Sequence, residues 1–245
     1  MRSELVVFVA VLAGMLLSML VYRLTPDGRE LSRDKTGRGG SFVLGFWVRN
    51  WFYWFIRPLK SASLALGLSP LFYNMLAVLF GIASLGFFVR GQLPAAGWMI
   101  LLSGVADVMD GEIARQKGIT SSMGAFLDST LDRFSEFAAF IGLAAFFGGG
   151  FPSLLVIVAL GGSLLVSYTR ARGESLGVLC KLGIMQRAER MLLLGIGGIL
   201  DPALSSALGR DTGFVLKIIV AVIAVWTVAT SIFRTVWISR RLQEE

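Results

Sequence analysis

Histidine is absent from this 245-residue chain, and Cys180 is its only cysteine. Without histidine there is no imidazole general base, no histidine-assisted nucleophile and no commonest zinc ligand. A single cysteine excludes an intrachain disulfide. Charge is scarce as well: 16% of residues are Asp, Glu, Lys or Arg, where a soluble domain of this size carries about 25%. The apolar segments run on without alternation, which argues against a β-barrel. Chemistry in this chain must use carboxylates, hydroxyls, arginines and a hard metal ion.

What is abundant is hydrocarbon, at 55% of residues. Apolar runs cover about 5–22, 70–90, 94–116, 122–147, 151–173, 187–208 and 213–238, long enough to cross a bilayer. They predict an all-α polytopic membrane protein with a six-helix transmembrane core and an extra N-terminal transmembrane helix. The first run is preceded only by Arg2 and has no small-residue cleavage site after it, so it reads as retained rather than as a signal peptide. Residues 187–208 open with charges, and Asp201-Pro202 threatens to cut that run short. Between the first two spans, 42–60 reads FVLGFWVRNWFYWFIRPLK. Its three tryptophans among basic residues predict an interfacial amphipathic helix that anchors at the membrane surface. The organisation expected is therefore 1–41, N-terminal span and polar loop; 42–60, interfacial helix; and 61–245, six-span domain.

Net charge is +7, and the basic residues gather in alternate turns. Arg115 and Lys117, Arg170 and Arg172, Lys181, Arg187 and Arg190, and Arg240 and Arg241 fall on one side; Arg90, Arg210 and Lys217 fall on the other. The richer side is expected in the cytoplasm and the N-terminus outside. Anionic headgroups, not nucleic acid, are the expected partners of this charge.

The stretch DVMDGEIARQKGITSSMGAFLDSTLDR, 107–133, places four carboxylates between two apolar runs. Asp107 and Asp110 are three apart, and Asp128 and Asp132 are four apart, so each pair shares a helix face. A turn near Lys117–Ser122 can fold the two faces together. Bare carboxylates at membrane depth cost several kcal/mol each, so a cation must hold them. An oxygen-only donor set points to Mg²⁺, Mn²⁺ or Ca²⁺, and four carboxylates can support two such ions in phosphoryl chemistry. Gly111 and Gly124 flank the acids, and a helix-interior glycine costs about 1 kcal/mol relative to alanine, so they mark a close approach by a ligand. Arg115, one turn from Gly111, can pair with a phosphate. Structural salt bridging and helix packing are the plain alternatives; packing is the reading for Gly142, Gly161 and Gly162.

The joint pattern D-x-x-D-G-x-x-A-R-x₈-G-x-x-x-D-x-x-x-D, filled here by Asp107, Asp110, Gly111, Ala114, Arg115, Gly124, Asp128 and Asp132, resembles the signature of the CDP-alcohol phosphatidyltransferases. The likeness covers roughly residues 60–240. It implies Mg²⁺ or Mn²⁺ held by Asp107, Asp110, Asp128 and Asp132, with Asp132 also the base. It implies that Gly111, Ala114 and Gly124 leave room for the cytidine nucleotide, that Arg115 holds its diphosphate, and that the protein is a homodimer in the membrane.

A second cluster, SYTRARGE at 167–174 and RAER at 187–190, resembles the branch of that family that uses inositol phosphate, except that Arg170 stands where lysine is expected. The resemblance implies that Ser167, Arg170, Arg190 and Arg234 bind the acceptor phosphate. The expected reaction moves a phosphatidyl group from CDP-diacylglycerol to a phosphorylated polyol and releases CMP. Glycerol phosphate or an unphosphorylated alcohol are alternative acceptors. A divalent-cation transporter is the alternative of another class, since buried carboxylates also mark ion pathways.

Overall fold

The computed structural model describes residues 2–26, 45–180 and 182–244. Most of the expected polar loop, from residue 27, and Lys181 lie outside the described residues. Among those described, all regular structure is helical: α1 (Arg2–Leu24), α2 (Gly45–Phe55), α3 (Arg57–Ala65), α4 (Pro70–Val89), α5 (Leu93–Lys117), α6 (Ser122–Phe147), α7 (Gly150–Ser175), α8 (Arg187–Ala207) and α9 (Phe214–Gln243).

Four of these, α4, α5, α7 and α9, are long and apolar enough to cross a membrane by themselves. Of α6 and α8, the first carries Asp128, Asp132, Arg133 and Glu136, and the second Arg187, Glu189, Arg190 and Asp201. Their charges turn toward the bundle interior, where several of the side chains are wholly enclosed. Outer faces are apolar instead, with Leu71, Leu79, Ile82, Ile218, Val225 and Ile232 at least half exposed, as lipid contact requires. The chain is an integral membrane protein.

The tryptophan-rich segment holds two helices where one was expected. Pro58 explains the break at Ile56. It has no N–H to give to the carbonyl four residues earlier, and its ring clashes there, but it sits comfortably in the first turn of a new helix, α3. The indoles pack against the N-terminal helix. Tyr22 of α1 is enclosed between Trp47 and Trp54, with ring centroids 5.7 and 5.5 Å away, and Trp51 Nε1 donates to Ser18 Oγ at 3.1 Å. They dock α1 onto α2.

Helix α4 packs along both α5 and α6, α8 packs along α5, and α9 along α7. Small residues permit this closeness: a Cβ on Gly142 would lie 2.5 Å from Leu85 Cα, and one on Gly81 2.7 Å from Ser135 Cα. Gly162 meets Thr227 in the same manner, whereas a Cβ on Gly161 would meet nothing within 4 Å among the described residues, so two of the three glycines read as packing residues serve that purpose there. The apolar core, built on Phe88, Leu93, Ile100, Phe140, Leu143, Leu194, Leu216 and Ile223, fills the end of the bundle formed by the start of α5 and the end of α6. At the opposite end a smaller apolar cluster of Ile56, Tyr73, Ala77, Ala106, Met109 and Ile113 lies beside the polar side chains.

Asp201 does not end α8, which continues through Pro202 to Ala207. The enclosed carboxylate instead accepts from Gly213 N at 2.5 Å and Leu216 N at 2.9 Å. It thereby satisfies the free N–H groups and the positive end of α9.

Candidate active site

The turn between α5 and α6 is built by local chemistry. Gly118, at φ 65°, ends α5 in the left-handed region, and Ser121 Oγ caps α6 by accepting from Gly124 N at 3.0 Å. The two helices meet near this turn and otherwise pack on α4 rather than on each other. Their acidic faces come together at Asp107, Asp128 and Asp132.

Carboxylate oxygens of Asp107, Asp128 and Asp132 all lie within 4.8 Å of one another. Asp110 is buried at 4% exposure and faces Asp128. One oxygen of each, Asp110 Oδ2 and Asp128 Oδ1, is buried without a hydrogen-bond partner among the described residues. Such oxygens normally find a donor, and here a cation would serve both. The donor set is oxygen only, at one end of a membrane bundle, and fits a hard divalent ion.

Arg187, which the sequence reading grouped with the acceptor-side arginines and not with the aspartates, reaches across from α8. Its Nη1 lies 3.0 Å from Asp107 Oδ1 and 2.7 Å from Asp132 Oδ2. Beneath it Arg190 is enclosed, paired with Glu136 Oε1 through Nε at 2.8 Å and Nη2 at 2.7 Å. Glu136 Oε2 takes Arg133 Nη1 at 3.0 Å. Glu136 stands four residues after Asp132, and Arg187 three before Arg190. That common-face spacing is the signal the sequence offered for both.

Arg115 extends outward and folds over Gly111, where a Cβ would lie 3.2 Å from its Nη1. Glu112 holds it at 2.7 Å and in turn takes Lys60 Nζ of α3 at 3.2 Å. Gly124 meets nothing but its own cap, Ser121 Oγ, so the space above both glycines is open apart from movable side chains. Ala114 lies half-buried between them in the chain, on the last turns of α5.

The acceptor residues expected from the sequence occupy the same end. Ser167 Oγ donates to Ser163 O at 3.1 Å, and Arg170, exposed, pairs with Glu174 at 2.9 Å. Arg234 is 3% exposed and gives Nε to Leu182 O and Nη1 to Val166 O, each at 2.7 Å. Its partners are neutral carbonyls, and Arg170 and Arg190 lie within electrostatic reach of it. Three guanidiniums thus share a region where Glu174 and Glu136 are the paired acids.

A model of the CDP-alcohol phosphatidyltransferase family matches residues 67–237. An archaetidylinositol phosphate synthase of Methanothermobacter thermautotrophicus is 44% identical over 118 residues, 48% of this chain and 58% of that protein. A phosphatidylinositol phosphate synthase of Streptomyces avermitilis is 38% identical over 167 residues, 66% of this chain and 68% of its own. The fold also resembles crystal structures of the Mycobacterium tuberculosis phosphatidylinositol phosphate synthase, at TM-score 0.65 and 27% identity over 74% of this chain. One has CDP-DAG bound and is covered to 92%; another holds manganese and citrate and is covered to 87%. The matched residues include both acid-bearing helices, their turn and the arginine region, and the chain belongs to the CDP-alcohol phosphatidyltransferase family.

Proposed function

We propose that this chain transfers a phosphatidyl-type group from a CDP-linked lipid to inositol phosphate and releases CMP. The observation that carries the reading is the convergence of Asp107, Asp128 and Asp132 oxygens within 4.8 Å beside a cluster of arginines. Carboxylates suit a divalent ion, and a cationic pocket suits an acceptor that already bears phosphate. The relatives named above share the inositol phosphate head and differ in the lipid, which supports the acceptor more directly than the donor.

In this reading Asp107, Asp110, Asp128 and Asp132 hold Mg²⁺ or Mn²⁺, two ions in all. When bound, these neutralise the donor diphosphate and the departing CMP. Gly111, Ala114 and Gly124 leave the backbone open to the nucleotide. Arg115, already aimed over Gly111, folds onto the diphosphate as a bidentate partner. Asp132 takes the proton of the acceptor hydroxyl, which attacks the lipid-side phosphorus in a direct displacement. Ser167 and Arg170 contact the acceptor phosphate. Arg190 and Arg234, enclosed as they are, contribute fixed positive charge to the floor of that pocket. The site faces the cytoplasm, with the N-terminus outside, because the basic turns lie at its end of the bundle. The protein works as a homodimer.

The test is CMP release by the purified protein with CDP-diacylglycerol and Mg²⁺, offered inositol phosphate, glycerol phosphate, inositol, serine or choline. Release with inositol phosphate alone supports the proposal. Release only with an unphosphorylated alcohol overturns the acceptor, and no release with any acceptor overturns the reaction.

A further inference from the structure

Arg187 stands where a cation is wanted. A single nitrogen, Nη1, serves Asp107 of α5 and Asp132 of α6 at 3.0 and 2.7 Å. These are two of the three residues whose oxygens converge as if on one ion. Its Nε is buried and without a hydrogen-bond partner among the described residues. An arginine committed to a carboxylate uses two parallel N–H bonds. Arg187 does not, so its hold on either acid is partial.

One turn deeper the pairing is of another kind. Arg190 gives Nε to Glu136 Oε1 at 2.8 Å and Nη1 to Met185 O at 2.5 Å, its Nη2 lies in ion-pair contact 2.7 Å from the same carboxylate oxygen, and Arg133 meets the other oxygen. The paired side chains are 1% and 0% exposed, against 15% and 14% for Arg187 and Asp132. Helices α6 and α8 are not among the pairs that pack along their length, so these two rungs set their register. The inner rung is closed, with Arg190 bonded through Nε and Nη1 and its Nη2 without a hydrogen bond among the described residues. The outer rung is more exposed, and one nitrogen is shared between two acids.

We propose that Arg187 is an exchangeable counterion. It holds Asp107 and Asp132 together in the metal-free protein and gives up their oxygens as a divalent ion enters. The Glu136–Arg190 rung keeps α8 in place throughout. Four carboxylates facing one guanidinium would otherwise repel and splay. The same guanidinium competes with the ion, because positive charge within about 3–4 Å opposes a second cation by more than solvent can screen. This inference rests on the metal-binding reading of the four aspartates.

The experiment uses the full-length protein in detergent with Mn²⁺ alone and no lipid substrate, free Mn²⁺ being read by electron paramagnetic resonance. Arg187→Gln is expected to bind Mn²⁺ about tenfold tighter than wild type, the loss of a nearby unit charge. Its metal-free form should melt lower, and saturating Mn²⁺ should restore it. Arg187→Lys, which keeps the charge without the fork, should fall between. Unchanged or weaker affinity in a folded Arg187→Gln overturns the proposal. If that variant does not fold, an affinity for Arg187→Lys at or below wild type does the same. Asp128→Asn separates the two levels: should it bind Mn²⁺ as wild type does, the aspartate site fails and the counterion with it, whereas loss in Asp128→Asn with no gain in Arg187→Gln refutes the counterion alone.

Discussion

Glu136 of α6 and Arg190 of α8 meet at 2.7 Å with 0% and 1% of their side chains exposed. The pair joins the helix that carries Asp128 and Asp132 to the helix that carries Arg187. Desolvating two charges is expensive, and an excellent geometry roughly offsets that cost; removing one partner leaves the other charge stranded. Glu136→Gln is therefore expected to destabilise by about 3–5 kcal/mol, seen as a large fall in melting temperature in detergent. The paired change Glu136→Leu with Arg190→Met should recover most of it. A single variant that melts like wild type would show that the pair does not set the register.

Glu112 holds Arg115 at 2.7 Å and is itself held by Lys60 at 3.2 Å. Helix α3 thereby helps to aim Arg115, the arginine proposed to meet the donor diphosphate. Arg115→Ala should raise KM for the CDP-lipid by about tenfold. Glu112→Gln should raise it about threefold with kcat nearly unchanged. Steady-state CMP release against donor concentration checks both; a fall in kcat at constant KM would place Glu112 in the chemical step instead.

Asp132, the proposed base, is 14% exposed and stands four residues from Asp128. Asp132→Asn keeps the volume and loses the proton acceptor, so kcat should fall by about 10²–10⁴. Single-turnover CMP release measures it. Retention of more than about a tenth of wild-type turnover would assign the base elsewhere.

Gly142 and Gly161 lie on neighbouring helices and have opposite surroundings. Gly142→Ala would press a methyl to 2.5 Å from Leu85 Cα, while a methyl at Gly161 would meet nothing within 4 Å among the described residues. The first should cost about 1–3 kcal/mol as α4 and α6 are forced apart. The second should be neutral or stabilise by up to about 1 kcal/mol through helix propensity. Thermal unfolding of the two variants side by side tests the packing.

Much of this was legible in the sequence because the governing signals are local. The span at 122–147 coincides with α6, Ser122–Phe147, and the charge-opened run at 187–208 with α8, Arg187–Ala207. Asp107, Asp128 and Asp132 converge as spacing on two helix faces joined by a turn requires. What escaped depends on how helices rotate and slide against each other. Whether Gly161 or Gly162 faces α9 is a question of helical phase that hydropathy does not resolve in a helix apolar all round. The partnership of Arg187 with two aspartates spans 55 residues or more of chain and follows from register across α6 and α8. The break at Pro58 was local and open to reading, but a run of aromatics and basics masked it.

The central claim is that the carboxylates of α5 and α6 share a divalent ion. Anomalous diffraction from crystals of the protein grown with Mn²⁺ tests it most directly. A manganese peak is expected among Asp107, Asp128 and Asp132, with Asp110 adjoining; a peak elsewhere, or none at that position, would show that these carboxylates hold no ion.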